Sequence, residues 1–250
     1  MPDSRGCHKY LRMKIALIGY GKMGKAIEEI ALSRHHEIVL RITSSTKQEM
    51  TAAALRKADI AIEFTTPEDA FINISKCFEA GIPVVCGTTG WLDKFEEIKE
   101  LCLQYNSALL YASNFSVGVN IFFEVNKRLA DLMSGRLEYD VSIRETHHTH
   151  KKDAPSGTAI SLAEQIMEAL PRKEEWVNSL PAKASDIYIE SLRVDPVPGT
   201  HTVMYTSQVD DIGITHTAHN RTGFATGAVL AAEYIKDKKG NFSMKDVLGM

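Results

Sequence analysis

A short apolar run, Lys14–Ile18 (KIALI), ends on Gly19-Tyr20-Gly21-Lys22-Met23-Gly24, and a helical pattern runs from Lys22 to Ser33. A G-x-G-x-x-G turn directly between strand and helix constrains this chain more than any other feature. The first glycine allows the tight turn, the second lets a pyrophosphate approach the backbone, and the third lets helix and strand pack closely. The helix N-terminus adds unpaired N–H groups and a partial positive charge. In this setting the turn predicts a dinucleotide site, with a purely structural turn as the alternative.

The same alternation continues downstream. Ile38–Thr43, Asp59–Thr65, Pro83–Cys86 and Ala108–Ala112 read as strands, and Pro67–Ala80 and Trp91–Tyr105 as helices. Continuous apolar strands alternating with helices predict a doubly wound, Rossmann-like parallel sheet covered on both faces. After Ser116 the pattern changes. Val119–Met133 reads as one amphipathic helix with Phe122, Val125, Leu129 and Leu132 near helical spacing. Tyr139–Glu145, Ile187–Val194, Thr200–Gln208 and Ile212–His219 follow a period of two, and the polar stretch Pro171–Asp186 reads as a loop. This predicts a second, α+β domain on an open, mostly antiparallel or mixed sheet packed by helices on one side. Thr222–Lys236 is a small-residue helix expected back against the first domain. The domain reading is therefore 13–117 plus 222–250, and 118–221, with residues 1–12 as a disordered extension.

The 250 residues, 44% hydrophobic and 24% charged, fit one large or two ordinary globular domains. A net charge of −3 gives no electrostatic footprint for nucleic acid. No apolar stretch has the roughly 18–20 residues of a membrane span, and residues 1–12 lack the apolar region of a secretory signal. Cys7, Cys77, Cys86 and Cys102 show no paired spacing and fit reduced thiols in a cytoplasm.

Two further turns follow strand ends on the rim where open α/β sheets bind ligands. They are Gly87-Thr88-Thr89-Gly90 and Ser113-Asn114-Phe115-Ser116. The acidic residue that holds a ribose 2′-hydroxyl is missing after the second strand, where the chain reads Leu40-Arg41-Ile42-Thr43-Ser44-Ser45-Thr46-Lys47. Hydroxyls with Arg41 and Lys47 nearby suit a 2′-phosphate, so NADPH is expected to be favoured, or NADPH and NADH both used.

The most unusual stretch is Glu145-Thr146-His147-His148-Thr149-His150-Lys151-Lys152-Asp153-Ala154-Pro155-Ser156-Gly157-Thr158-Ala159. Pro155 halts the chain, Ser156 can cap, and Gly157-Thr158 open a helix to about Leu170. Free N–H groups with Lys151 or Lys152 close by would bind a carboxylate, and a neighbouring histidine can act as general acid. That is the chemistry of reducing an anionic small molecule. A solvated basic loop is one alternative. A metal site of His147, His148 and His150 with Asp153, His216 or His219 is the other; the favoured reading has no metal.

The run HHTHKKDAPSGTA closely resembles the H-H-x-x-K-x-D-A-P-S-G-T-A signature of the 4-hydroxy-tetrahydrodipicolinate reductase (dihydrodipicolinate reductase) family. The resemblance extends from Met13 over nearly the whole chain. It takes in Glu63-Phe64-Thr65, Asn114–Asn120, Pro198–His201, Ile214–Arg221 and Asp246-Val247-Leu248. It implies reduction of a cyclic dicarboxylate with loss of water, using NADPH or NADH, in lysine and diaminopimelate synthesis, by a homotetramer joined through the second sheet. It places His147 as proton donor and Lys151 as proton donor and substrate contact. It also puts His148, Ser156, Gly157 and Thr158 on the substrate. Cofactor contacts fall on Gly19, Tyr20, Gly21, Lys22, Met23, Gly24, Thr43, Gly87, Thr88, Thr89, Ser113, Asn114, Phe115 and Ser116. Two departures stand out. The glycine turn is one residue shorter than in some members, and Thr43 or Ser44 stands where members often carry Asp or Glu. A non-catalytic nucleotide sensor with a histidine loop for metal or a partner is the reading from another class.

Overall fold

In a computed structural model of the chain, residues 12–220 and 222–250 are described. The elements in order are β1 (Lys14–Ile18), α1 (Lys22–Ser33), β2 (Glu37–Ile42), α2 (Ala52–Leu55), β3 (Ile60–Glu63), α3 (Pro67–Glu79), β4 (Val84–Cys86), α4 (Phe95–Gln104) and β5 (Ala108–Tyr111). There follow α5 (Val117–Met133), β6 (Asp140–His147), α6 (Gly157–Ala169), β7 (Glu175–Val177), β8 (Asp186–Arg193), β9 (Gly199–Thr206), β10 (Asp211–Ala218), α7 (Thr222–Ile235), β11 (Gly240–Phe242) and α8 (Met244–Leu248). Two compact units emerge: one runs to Val117 and resumes at Thr222–Met250, and the other begins at Gly118.

In the first unit, six strands lie in the order β11-β5-β4-β3-β1-β2, and every pairing is parallel. Successive residues of β1 serve opposite faces. Ile15 and Leu17 join Ile27 and Ala31 of α1 and Ala228, Val229 and Ile235 of α7. Ala16 and Ile18 join Leu55, Ile74, Phe78, Ile98 and Cys102 from α2, α3 and α4. Both faces being covered, the strands read as unbroken apolar runs. Truncating wholly buried Phe78 to alanine would cost roughly 3–5 kcal/mol in lost transfer energy and cavity.

In the second unit, five strands lie in the order β10-β9-β6-β8-β7. β9 is antiparallel to β10 and β6, whereas β8 is parallel to β6 and β7, which makes the sheet mixed. Val141, Ile143, Ile187, Ile189, Val203 and Tyr205 point to one face and pack on Phe122, Ala130, Leu162 and Ile166 of α5 and α6. The opposite face is mixed: Arg144 pairs with Glu190 and the Thr202 and Thr215 hydroxyls lie 3.0 Å apart, with Tyr188, Leu192 and Met204 among them.

Several details depart from the sequence reading. The buried stripe of α5 is Val119, Phe122, Asn126, Ala130 and Met133, while Val125 and Leu132 are exposed. Apolar residues on both sides of this helix hid the true face, and Asn126 decides it by donating to the Leu162 carbonyl and to Gln165 Oε1. The stretch Pro171–Asp186 is not all loop, since it holds β7, too short to show a period. α2, β11 and α8 were likewise unforeseen. Of the expected extension 1–12, Arg12 is described and pairs with Glu37 at 3.0 Å; the remainder, with Cys7, lies outside the described residues. Cys77, Cys86 and Cys102 are buried free thiols. Among the described residues no helix is long and apolar enough to cross a membrane.

Candidate active site

The chain passes from β1 to β2 on one side and returns to β3 on the other, and a ligand crevice belongs at such a switch point. A groove of about 490 Å³ lies there, lined by Gly21–Gly24, Phe64, Thr65, Pro67 and Gly87–Thr89. Gly19 turns the chain at φ +93°, and a Cβ on it would fall 1.9 Å from the Phe64 carbonyl oxygen. A Cβ on Gly24 would fall 2.3 Å from the Gly19 oxygen, whereas one on Gly21 would meet nothing within 4 Å. Two glycines therefore close the turn and the middle one leaves it open to a ligand. Gly21 caps α1 without a side-chain hydrogen bond, so the first helical N–H groups face the groove without a side-chain cap.

A buried polar network pins the neighbouring turn. Thr88 Oγ1 donates to Glu63 Oε2 at 2.7 Å and accepts from the Thr65 N–H at 2.8 Å. Glu63 is wholly buried and also takes the Cys86 thiol at 3.1 Å; burial, with this carboxylate beside it, pushes that thiol well above its ordinary pKa. Ser113 is exposed, and the Ser116 N–H donates to Asn114 Oδ1 at 2.9 Å. The Phe115 ring is turned into the core, 5.5 Å from Phe64, which leaves only its backbone for a ligand.

Thr43 belongs to a hydroxyl cluster, 2.9 Å from Ser45 Oγ and 3.1 Å from Thr46 Oγ1. The two cations expected to favour a 2′-phosphate are otherwise engaged. Arg41 pairs with Glu28, which also accepts from the Tyr20 hydroxyl, and its guanidinium lies 5.9 Å from the Tyr20 ring centre. Lys47 pairs with Asp69 at 2.6 Å. Glu28→Gln is expected to release Arg41 and shift the NADPH/NADH affinity ratio toward NADPH by roughly fivefold, about 1 kcal/mol. Fluorescence titration of both cofactors checks this, and an unchanged ratio would exclude Arg41 from the 2′ position.

In the second unit the inward alternation of β6 runs past Val141 and Ile143 to Glu145 and His147. Both Glu145 oxygens accept the Ser156 N–H at 3.1 Å, and Ser156 Oγ caps α6 through the Ala159 N–H at 3.3 Å. Glu145 Oε2 stands 3.5 Å from His147 Nδ1 and 3.7 Å from His201 Nε2, and Ser156 Oγ is 3.1 Å from the same His201 nitrogen. Arg193 reaches Glu145 Oε1 at 3.5 Å and donates to the carbonyls of Lys151 and Asp153. The Thr149 N–H donates to Asp195 at 3.0 Å, so the β8–β9 turn braces the histidine loop. Lys151 pairs with exposed Asp153 at 2.8 Å. His148 is half-buried, Gly157 and Thr158 open α6, and His150 and Lys152 are exposed.

Burial works to raise the Glu145 carboxyl, yet its contacts with His201 and Ser156 outweigh it and hold the group at about 2. Burial lowers His147 to about 4, against the attraction of Glu145 and with the help of His201, Lys151 and Arg193. Both groups therefore hold fewer protons folded than unfolded, so stability is full above the unfolded values and is lost as pH falls. The urea midpoint is expected to drop between pH 6.5 and 4 through His147 and again below 4.5 through Glu145. A His147→Gln variant should flatten the upper part of that curve.

One ligand atom each of Glu145, His147 and His201 lies within 4.8 Å of the others, a spacing that could hold a cation. It is a different trio from the one the sequence offered, and Arg193 already balances the carboxylate. Glu145, Arg193, Asp195 and His201 carried no assigned role in the sequence reading. The usable signal was the period of two, which puts Glu145, His147 and His201 at inward positions, where charge must be paired.

The family pattern described as "Dihydrodipicolinate reductase, N-terminus" matches residues 13–115, and "Dihydrodipicolinate reductase, C-terminus" matches residues 118–248. The chain belongs to the dihydrodipicolinate reductase family. A relative named 4-hydroxy-tetrahydrodipicolinate reductase in Christiangramia forsetii is 51% identical over 94% of this chain and 98% of its own. Another of that name, in Methanosarcina acetivorans, is 36% identical over 94% of this chain and 89% of its own. The dipicolinate-bound dihydrodipicolinate reductase of Paenisporosarcina sp. TG-14 matches with a TM-score of 0.75 at 22% identity. That match covers 93% of this chain and 98% of the other, a likeness of fold.

Proposed function

We propose that this family member reduces 4-hydroxy-tetrahydrodipicolinate to tetrahydrodipicolinate in lysine and diaminopimelate biosynthesis, with NADPH or NADH. The substrate loses its hydroxyl as water, and the overall reaction consumes one hydride and one proton. Bound NAD(P)H supplies the hydride. Residues 13–117 with 222–250 form the cofactor unit, in which the open Gly21 turn, the α1 N-terminus and Gly87–Thr89 fit a pyrophosphate and its ribose. Residues 118–221 form the substrate unit. There His148, Lys151 and the first N–H groups of α6 hold the carboxylates, and His147 gives the proton.

The observation that carries this reading is the buried Glu145 carboxylate shared by His147 and the Ser156-capped helix, with the Lys151 charge in reach of His147. His147 is neutral in the resting site at pH 7. The negative charge of a bound dicarboxylate raises it, so proton loading follows substrate binding. The part-exposed Tyr188, Leu192 and Met204 on the outward face of the second sheet support a homotetramer, which sedimentation would test. The buried thiols favour a cytoplasmic location.

The deciding assay follows nicotinamide absorbance with substrate made in situ from pyruvate and aspartate semialdehyde by the preceding synthase. Oxidation of cofactor that depends on both substrate and protein supports the reading. Cofactor binding without turnover would instead favour the sensor.

A further inference from the structure

Glu145 lies at 0% exposure on the inward face of β6, and its two oxygens meet groups from three other segments and from its own strand. The α6 cap Ser156 donates its N–H to both, Arg193 of β8 stands at Oε1, and His201 of β9 and His147 at Oε2. The remaining charged pair in reach of His147 is Lys151 with Asp153. His147 Nδ1 is buried without a hydrogen-bond partner, and the Glu145 Oε2 carboxylate oxygen stands 3.5 Å from it. On its other side, a Cβ on Gly199 would stand 3.1 Å from His147 Nε2, so the missing side chain leaves that nitrogen its room.

We propose that Glu145 is a positioning residue for the proton donor: it holds His147 with Nδ1–H toward its carboxylate and leaves Nε2 to carry the transferred proton. This rests on the proposed reductase function. In the loaded state both ring nitrogens bear protons and the carboxylate balances the cation. After transfer from Nε2 the ring is neutral, Nδ1 keeps its proton and Glu145 stays ionised. Because the same carboxylate grips the N–H of the α6 cap, it also sets the donor in register with the helix N-terminus that holds the substrate. A buried carboxylate behind a histidine fixes tautomer and orientation in this way without exchanging protons itself.

The test combines two variants with one measurement on the unaltered enzyme. Glu145→Gln is expected to lower kcat roughly 10- to 100-fold with KM little changed. Activity requiring a protonated donor falls as pH rises, and without the carboxylate this alkaline limb should move about one to two pH units lower. Glu145→Asp should return the limb part of the way. An unmoved limb overturns the proposal, whatever the loss in rate. Should Glu145→Gln fail to fold, ¹⁵N-histidine spectra of the unaltered protein decide, with His147→Gln giving the assignment. The Nδ1–H tautomer is expected for neutral His147, and the Nε2–H tautomer overturns the proposal. Absence of turnover in the unaltered enzyme would instead count against the reductase reading, since the tautomer is read without substrate.

Discussion

His147→Gln is expected to lower kcat by roughly 10²–10⁴ while KM changes by no more than a few-fold. The amide can occupy much of the imidazole's volume beside Gly199 and face Glu145, so the pocket keeps its shape. It has no proton to give in this pH range. The loss should therefore fall on the step in which a proton is delivered. Steady-state rates across pH 5–9 would show a low, flat profile in place of a limb set by the donor. Near-normal turnover would remove His147 from the chemistry.

Lys151→Ala should act on both constants. Its ammonium is held near the loop surface by Asp153, placed to receive a carboxylate at the cost of an exposed ion pair that contributes little to stability. Losing one charge-assisted hydrogen bond of about 1.5–3 kcal/mol raises KM by roughly 10- to 150-fold. The loss of a second proton source lowers kcat as well. Thermal unfolding should be unchanged, because Asp153 is solvated and the loop stays braced by Arg193 and Asp195. A variant with altered kcat and unaltered KM would place Lys151 in proton transfer alone.

What could be read before any coordinates was whatever depends on local sterics. The glycine turn is one case: Gly24 is demanded by the Gly19 carbonyl five residues before it, although at Gly19 the excluding atom is the distant Phe64 carbonyl just past β3. The Ser156 cap is another, since proline, serine and glycine announce a helix start without tertiary help. The α5 face could not be read, because its apolar residues cover more than one side and only buried Asn126 breaks the tie. The engagement of Arg41 and Lys47 was equally hidden. A cation beside hydroxyls suggests a phosphate, and nothing in the linear order shows Glu28 and Asp69 claiming both. Glu145 is the instructive miss. It sits in phase with Val141 and Ile143, and a carboxylate in phase with a core stripe already implies paired charge inside.

The return of the chain to its first sheet has a consequence for the order of synthesis. β11 pairs with β5, and α7 brings Ala225, Val229, Ala232 and Ile235 onto the face of Ile15 and Leu17. Translation delivers β1 early and α7 late, with every strand of the mixed sheet in between. A nascent chain can thus complete its second unit while the first still shows the cell an apolar face that α1 covers only in part. That face is where holding chaperones would find purchase, so the half made earliest is the half that finishes folding last.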